Sequence, residues 1–190
     1  MATKRILMGG IITFLLLAHL GCAGMDLSPG GRFALRVNCA ASEPYTDEAG
    51  KEWLPDQYME EGKTWGAIDG MTVDRGEIDI EGTDCPKVYQ TERYSMTTYK
   101  FKVPDGKYKL KLHFAETYDG INGPGMRVFS ITINGETVLK DFDPYRDGGG
   151  LNRPVVKEFK NIKILGGELA IGFESNVQNA EINGIEVLSN

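Results

Sequence analysis

Histidine, cysteine and positive charge are all in short supply. The sequence has two His and three Cys, and 21 Lys and Arg stand against 27 Asp and Glu for a net charge of −6. That acid excess removes the electrostatic basis on which a nucleic-acid binder tracks phosphates, so no nucleic-acid partner is expected. His19 lies in an N-terminal leader, which leaves His113 alone in the rest of the chain. A two-histidine zinc site is therefore excluded, and any hydrolase triad would have to use His113. Helix signals are almost missing: only residues 54–62, LPDQYMEEG, suggest a helical turn. There are no internal repeats, and the 190 residues fit one domain rather than two.

What is present begins with that leader. Lys4 and Arg5 precede an apolar run from Ile6 to Ala18, and small residues follow around Gly21-Cys22-Ala23-Gly24. This is the plan of a secretory signal peptide over residues 1–21, and the run is too short for a spanning helix. Gly21-Cys22 resembles a bacterial lipobox, so Cys22 is a lipidation candidate; an ordinary cleaved signal is the alternative. Without residues 1–21, which hold Lys4 and Arg5 and no acid, the net charge becomes −8. Acidity of this degree argues against attraction to anionic membrane, leaving the lipid as the expected membrane contact. The mature chain is expected to be an exported, membrane-anchored lipoprotein of the periplasm or cell surface. Cys39 and Cys85 then remain, either as a disulfide of the oxidising compartment or as two buried thiols. Residues 22–33, with GMDLSPGG at 24–31, read as a flexible tether ahead of a domain at 34–190.

From Phe33 onward the chain reads as strand after strand. Phe33, Leu35 and Val37 alternate with Ala34, Arg36 and Asn38. Around Pro104-Asp105-Gly106, Phe101 and Val103 precede the turn, and Tyr108, Leu110, Leu112 and Phe114 follow it with lysines between, which predicts a hairpin with one wet face. A second hairpin is predicted at Asn134-Gly135, a pair that favours a type I′ turn, and a third pair of strands flanks Gly166-Gly167. Strands this numerous without crossover helices indicate an all-β, antiparallel β-sandwich.

Four long connections are the places for binding residues. They are residues 45–84 with Trp53, Tyr58 and Trp65; the end of YQTERY with Tyr94; AETYDGINGPGM with Tyr118; and ESNVQNA with Asn176, Gln178 and Asn179. Aromatic faces beside planar polar groups suit sugars, whose C–H faces stack and whose hydroxyls need fixed partners. The bland alternative, rings used for core packing, applies to each aromatic taken singly.

The ordered set RVNCA (36–40), YTDEAGKEWLPD (45–56), YQTERY (89–94), LHFAETY (112–118), RVFSITINGETVLKDFD (127–143) and INGIEVL (182–188) resembles the malectin domain, a carbohydrate-binding sandwich of the jelly-roll type. The resemblance covers residues 34–190 and implies non-catalytic binding of glucan-type sugars. It places the sugar-contacting aromatics on Trp65 in KTWGA, on Tyr94, and on Tyr118, with Asp119 standing where a second aromatic is usual. The family's acidic contact near the C-terminus has Asn176 and Asn179 as nearest counterparts. Two other functions stay open. Glu92, Glu116 and Asp119 could supply a glycosidase pair, although Glu116 shares the face of Leu110, Leu112 and Phe114 and reads as a buried acid paired with Arg93 or Arg127. A structural or protein-interaction domain at the cell envelope, with a protein partner there, is the other. Asp141, Asp143 and Asp147 lack EF-hand spacing and read as a solvated turn, so no metal or cofactor is expected.

Overall fold

The computed structural model describes residues 26–28 and 32–190. The leader 1–21 and Cys22 lie outside the described residues. Strands follow in chain order as β1 (Asp26–Ser28), β2 (Arg32–Asn38), β3 (Tyr45–Thr46), β4 (Glu52–Pro55), β5 (Trp65–Ala67), β6 (Met71–Asp74), β7 (Thr91–Tyr94), β8 (Thr98–Lys102), β9 (Gly106–Phe114), β10 (Val128–Ile133), β11 (Glu136–Phe142), β12 (Val155–Ile164), β13 (Glu168–Val177), β14 (Glu181–Ile182) and β15 (Gly184–Ser189). Helical structure among the described residues is limited to a 3-10 turn at Pro86–Tyr89 and a short helix α1 at Pro144–Gly148. No helix among them is long and apolar enough to cross a membrane. Part of the expected tether is thus a strand, because β1 pairs antiparallel with the start of β2.

Two sheets face each other. One runs β12-β9-β15-β2-β4-β3 with β1 on β2, the other β11-β10-β13-β8-β5, and a small ribbon β14-β7-β6 lies beside them. Alternation decides which side chains go inside: Tyr108, Leu110, Leu112 and Phe114 of β9 meet Phe101, Phe129, Ile131 and Ile171 from the opposite sheet in the main core. Phe114, Phe129 and Phe142 cluster with ring centroids 4.8–5.9 Å apart. A second, smaller core of Trp53, Ile80, Val88, Tyr89 and Ala115 covers one half of the outer face of the larger sheet. Gly184 makes that covering possible, since a Cβ there would sit 2.6 Å from Val88 Cγ1. Both cores are built from residues 33–187, so the segment 32–190 contains what it needs to fold alone.

The Asn134-Gly135 hairpin is observed with φ of 51° and 84°, the signs a type I′ turn requires. The other two expected pairs are not hairpins. β8 and β9 belong to different sheets, as do β12 and β13, so Pro104–Gly106 and Gly166-Gly167 are corners where the chain changes layer. The corners are side by side, with Gly167 N donating to Asp105 Oδ1 at 2.8 Å and Val103 N to Gly167 O at 3.0 Å. The helical turn expected at 54–62 is also absent. Its backbone is engaged by β5 instead: Met59 N donates to Ala67 O at 2.7 Å and Ala67 N to Gln57 O at 3.0 Å. Gly66 permits this approach, for its Cβ would lie 2.5 Å from Met59 N.

Candidate functional site

The ribbon β14-β7-β6 and three chain segments meet at the end of the sandwich where β9 finishes. On β7, alternation sends Glu92 and Tyr94 to one face and Thr91 and Arg93 to the other. Directly paired residues share a face, so Val73 stands beside Glu92, and Met71 and Glu181 flank Tyr94. Tyr118 comes from the segment after β9, Arg127 from just before β10, and Gln178 and Asn179 from between β13 and β14. Together Val73, Arg75, Glu92, Tyr94, Tyr118, Arg127, Gln178 and Asn179 line an open cleft of about 300 Å³.

Charge in its wall is paired internally. Arg75 Nη2 meets Glu92 Oε1 at 2.8 Å, and Thr117 Oγ1 donates to the other Glu92 oxygen. Arg127 Nε meets Glu116 Oε2 at 2.6 Å, while its Nη1 donates to Asn179 O at 2.6 Å and so fixes the loop bearing Gln178. Glu116 also accepts from Tyr118 N at 3.0 Å, which sets the direction of the ring. The guanidinium carbon of Arg75 lies 5.5 Å from the Tyr118 ring centroid. Of the two pairings open to Glu116, the structure has Arg127; Arg93 holds Asp56 at 2.7 Å on the opposite face. Burial raises the Glu116 carboxyl despite Arg127, and for Arg127 the neighbouring Glu181 and Glu116 outweigh burial and raise it.

Beside Tyr94 on β14, Glu181 is fully buried and neither of its carboxylate oxygens has a hydrogen-bond partner. Burial pushes this carboxyl well above the usual range, and Glu92 and Glu116 push the same way against Arg127 and Arg75. Burial thus favours its protonated form, while Arg75 and Arg127 face Glu92 and Glu116 around the cleft, two charges of each sign.

The residues expected from the sequence divide. Tyr94, Tyr118 and Asn179 line the cleft, Tyr118 being 42% exposed. Trp65 does not join them. Its pairing with Phe101 of β8 puts both rings on the core side, stacked 6.3 Å apart, and the indole is buried. Asp119 is exposed beside the cleft but is not part of its lining. Asn176 is directed away, donating to Asp141 Oδ1 at 2.7 Å and Ser130 Oγ at 3.3 Å. Sequence reasoning missed Arg75, Thr117 and Glu181, whose roles depend on ion pairing and burial rather than on a local pattern.

Cys39 and Cys85 are free thiols, which corrects the possible disulfide. Cys39 follows β2 and packs in the main core, whereas Cys85 packs against the second core and bonds with Thr83, so the two sit on different sides of the sheet. His113 is buried under the second core, with Tyr89 Oη 2.8 Å from Nδ1 and Glu186 Oε1 3.1 Å from Nε2, away from the cleft. Asp143 caps α1 by accepting from Arg146 N at 3.0 Å. Among the described residues no group of three or more His, Cys, Asp or Glu is arranged to hold a metal ion.

The Malectin domain family model matches residues 33–187. The chain belongs to the malectin domain family. Malectin of Mus musculus is 42% identical over 131 residues, 67% of this chain and 42% of that protein. Malectin-A of Xenopus laevis is 32% identical over 149 residues, 75% of this chain and 50% of that protein. The chain thus spans about half or less of the curated relatives it matches. Among solved structures, a Bacteroides uniformis β-glucuronidase superposes with TM-score 0.74 at 28% identity, over 83% of this chain but 18% of the enzyme. The plant receptor-like kinase FER superposes with TM-score 0.66 at 27% identity, over 83% of this chain and 42% of that chain. In this malectin domain the YQTERY and HFAETY motifs supply Glu92, Tyr94 and Tyr118 of the cleft lining, with Glu116 and Thr117 as ionic and hydrogen-bonding support.

Proposed function

We propose that the cleft binds a glucan-type oligosaccharide without turning it over, and that a lipid on Cys22 displays the domain from a membrane. The observation that carries the first part is the pairing of two aromatic rings, Tyr94 and Tyr118, with the exposed amides of Gln178 and Asn179 across one open cleft. Rings offer stacking faces, and the amides offer both donors and acceptors to hydroxyls. Because Arg75 and Arg127 are already neutralised by Glu92 and Glu116, the cleft favours a neutral sugar over a charged one. Its volume is at the lower end for small-molecule sites, which suits recognition of a short stretch of a chain.

Binding alone is the better reading than hydrolysis. A glycosidase needs two carboxyls that reach the substrate at roughly 5–9 Å from each other. Here the Glu116 side chain is fully buried under Arg127, and that of Glu92 is 2% exposed with both oxygens engaged. A glycan array with the segment 32–190 tests the proposal. Retention of glucose oligomers, with no shortened products released, is the expected result. A folded domain that retains no glycan would favour a protein-interaction module, and release of products would establish an enzyme.

A further inference from the structure

The open half of the larger sheet's outer face has a charge opposite to that of the whole chain. Side chains of β9 that alternate with the buried Tyr108, Leu110 and Leu112 are Lys107, Lys109 and Lys111. Register carries the same face across neighbouring strands: Lys163 pairs with Lys107, and Glu158, Lys111, Glu186 and Arg36 form one row. Lys160 joins them, 70% exposed and 3.1 Å from Glu158. Among the side chains described, these six cations therefore meet two carboxylates, Glu158 and Glu186, on a chain whose net charge is −6.

Both carboxyls respond to this surplus. The Lys160 hydrogen bond, with Lys109 and Lys111 nearby, lowers Glu158. Burial alone would raise Glu186, yet His113, Lys111 and Arg36 hold it down at about 2. Lysine ion pairs among the described residues involve Lys100, Lys111, Lys157 and Lys160, which leaves Lys107, Lys109 and Lys163 without a carboxylate partner among them. The opposite half of the face, around His113, is closed by Trp53 and Tyr89, so the cationic half is the part left open.

We propose that this flat cationic half docks on a bilayer containing anionic phospholipid. Two observations favour a bilayer over a soluble polyanion. The surface is a sheet face rather than a groove, so it can bring several lysines to one plane. The chain also reaches the domain at this end, for Ala34 near the start of β2 is in register with Leu188, which is in register with Lys109. β9 leads away from Lys107 to the cleft residue Tyr118, a span of roughly 25 Å or more at 3.4 Å per strand residue. Docked this way, the sheet lies along the bilayer and the cleft, at the far end of β9, stays clear of the contacting lysines. The second of these observations rests on the lipid proposed at Cys22; the first does not.

Vesicle co-sedimentation of the segment 32–190 tests the docking. It is expected to sediment with phosphatidylcholine vesicles containing phosphatidylglycerol, to stay in solution with phosphatidylcholine alone, and to be released at about 0.5 M NaCl, where the screening length shrinks to about 4 Å. Replacing Lys107, Lys109 and Lys163 by Gln should lower partitioning about fivefold per lysine while leaving the melting temperature unchanged. Tyr118→Ala should leave vesicle binding as it is, which separates this face from the cleft whatever sugar the cleft takes. Equal binding to neutral vesicles, full partitioning by the triple variant, or loss of it in Tyr118→Ala would overturn the proposal. So would capture of a soluble anionic polysaccharide with no binding to vesicles.

Discussion

Glu181→Gln isolates the most unusual group beside the cleft. Glu181 is buried without a partner for either oxygen, and its carboxyl is raised far above the range of an exposed glutamate, about 4.3. Between that value and its folded-state pKa, the native protein holds a proton that the unfolded chain has released. Unfolding free energy then falls as pH rises, by about 1.4 kcal/mol per pH unit, until the folded-state pKa is passed. Below about pH 4 the group contributes no pH dependence, since both states are protonated. Gln cannot ionise, so Glu181→Gln abolishes this slope and leaves only a constant offset for its own unbonded amide, roughly 1–3 kcal/mol. Relative to that offset, the variant should gain on the wild type as pH rises from about 5 toward the folded-state pKa, each pH unit at the full slope of about 1.4 kcal/mol corresponding to roughly 3–6 °C in melting temperature for a domain of this size. Thermal melts of both proteins across pH 4–8 measure it. Melting curves that stay parallel over the whole range would refute the buried, protonated assignment. Glu116, also raised, acts in the same direction in both proteins and cancels in the comparison.

Truncating the aromatics should separate core from cleft. Trp65→Ala should cost roughly 3–5 kcal/mol of stability, because the indole is buried against Phe101. Tyr118→Ala should leave the melting temperature nearly unchanged and weaken sugar binding about fivefold, the loss of one stacked ring; the opposite pattern in melts and titrations would reverse the two assignments. Reductant should not move the melting temperature, and both Cys39 and Cys85 should alkylate in denatured, unreduced protein, whereas one protected pair would restore the disulfide. Cys22→Ser in the full chain should abolish incorporation of labelled fatty acid; a wild type that incorporates none would end the lipoprotein reading.

Much of the fold was legible because alternation reports which face a residue takes. The lysines between Tyr108 and Phe114 announced a half-wet strand, and Asn134-Gly135 announced its turn. Alternation does not report the partner strand, however, and this is why the corners at Pro104–Gly106 and Gly166-Gly167 resembled hairpins. In the cleft, Tyr94 and Tyr118 were legible through the motifs that carry them. Trp65 was misplaced since an aromatic before Gly fits either side of a short strand, and only its pairing with Phe101 decides. Arg75 sits in a charged connection with no local mark to distinguish it, and the isolation of Glu181 is a product of three-dimensional burial.

Chemical-shift mapping of the ¹⁵N-labelled segment 32–190 during titration with glucose oligomers tests the cleft most directly. Shifts that move with sugar concentration are expected at Arg75, Tyr94, Tyr118, Gln178 and Asn179, with none at Trp65, Asn176 or the lysines of β9. Perturbations centred on Trp65, or an unchanged spectrum in the presence of a glycan that the domain demonstrably retains, would contradict the assignment of this cleft as the sugar site.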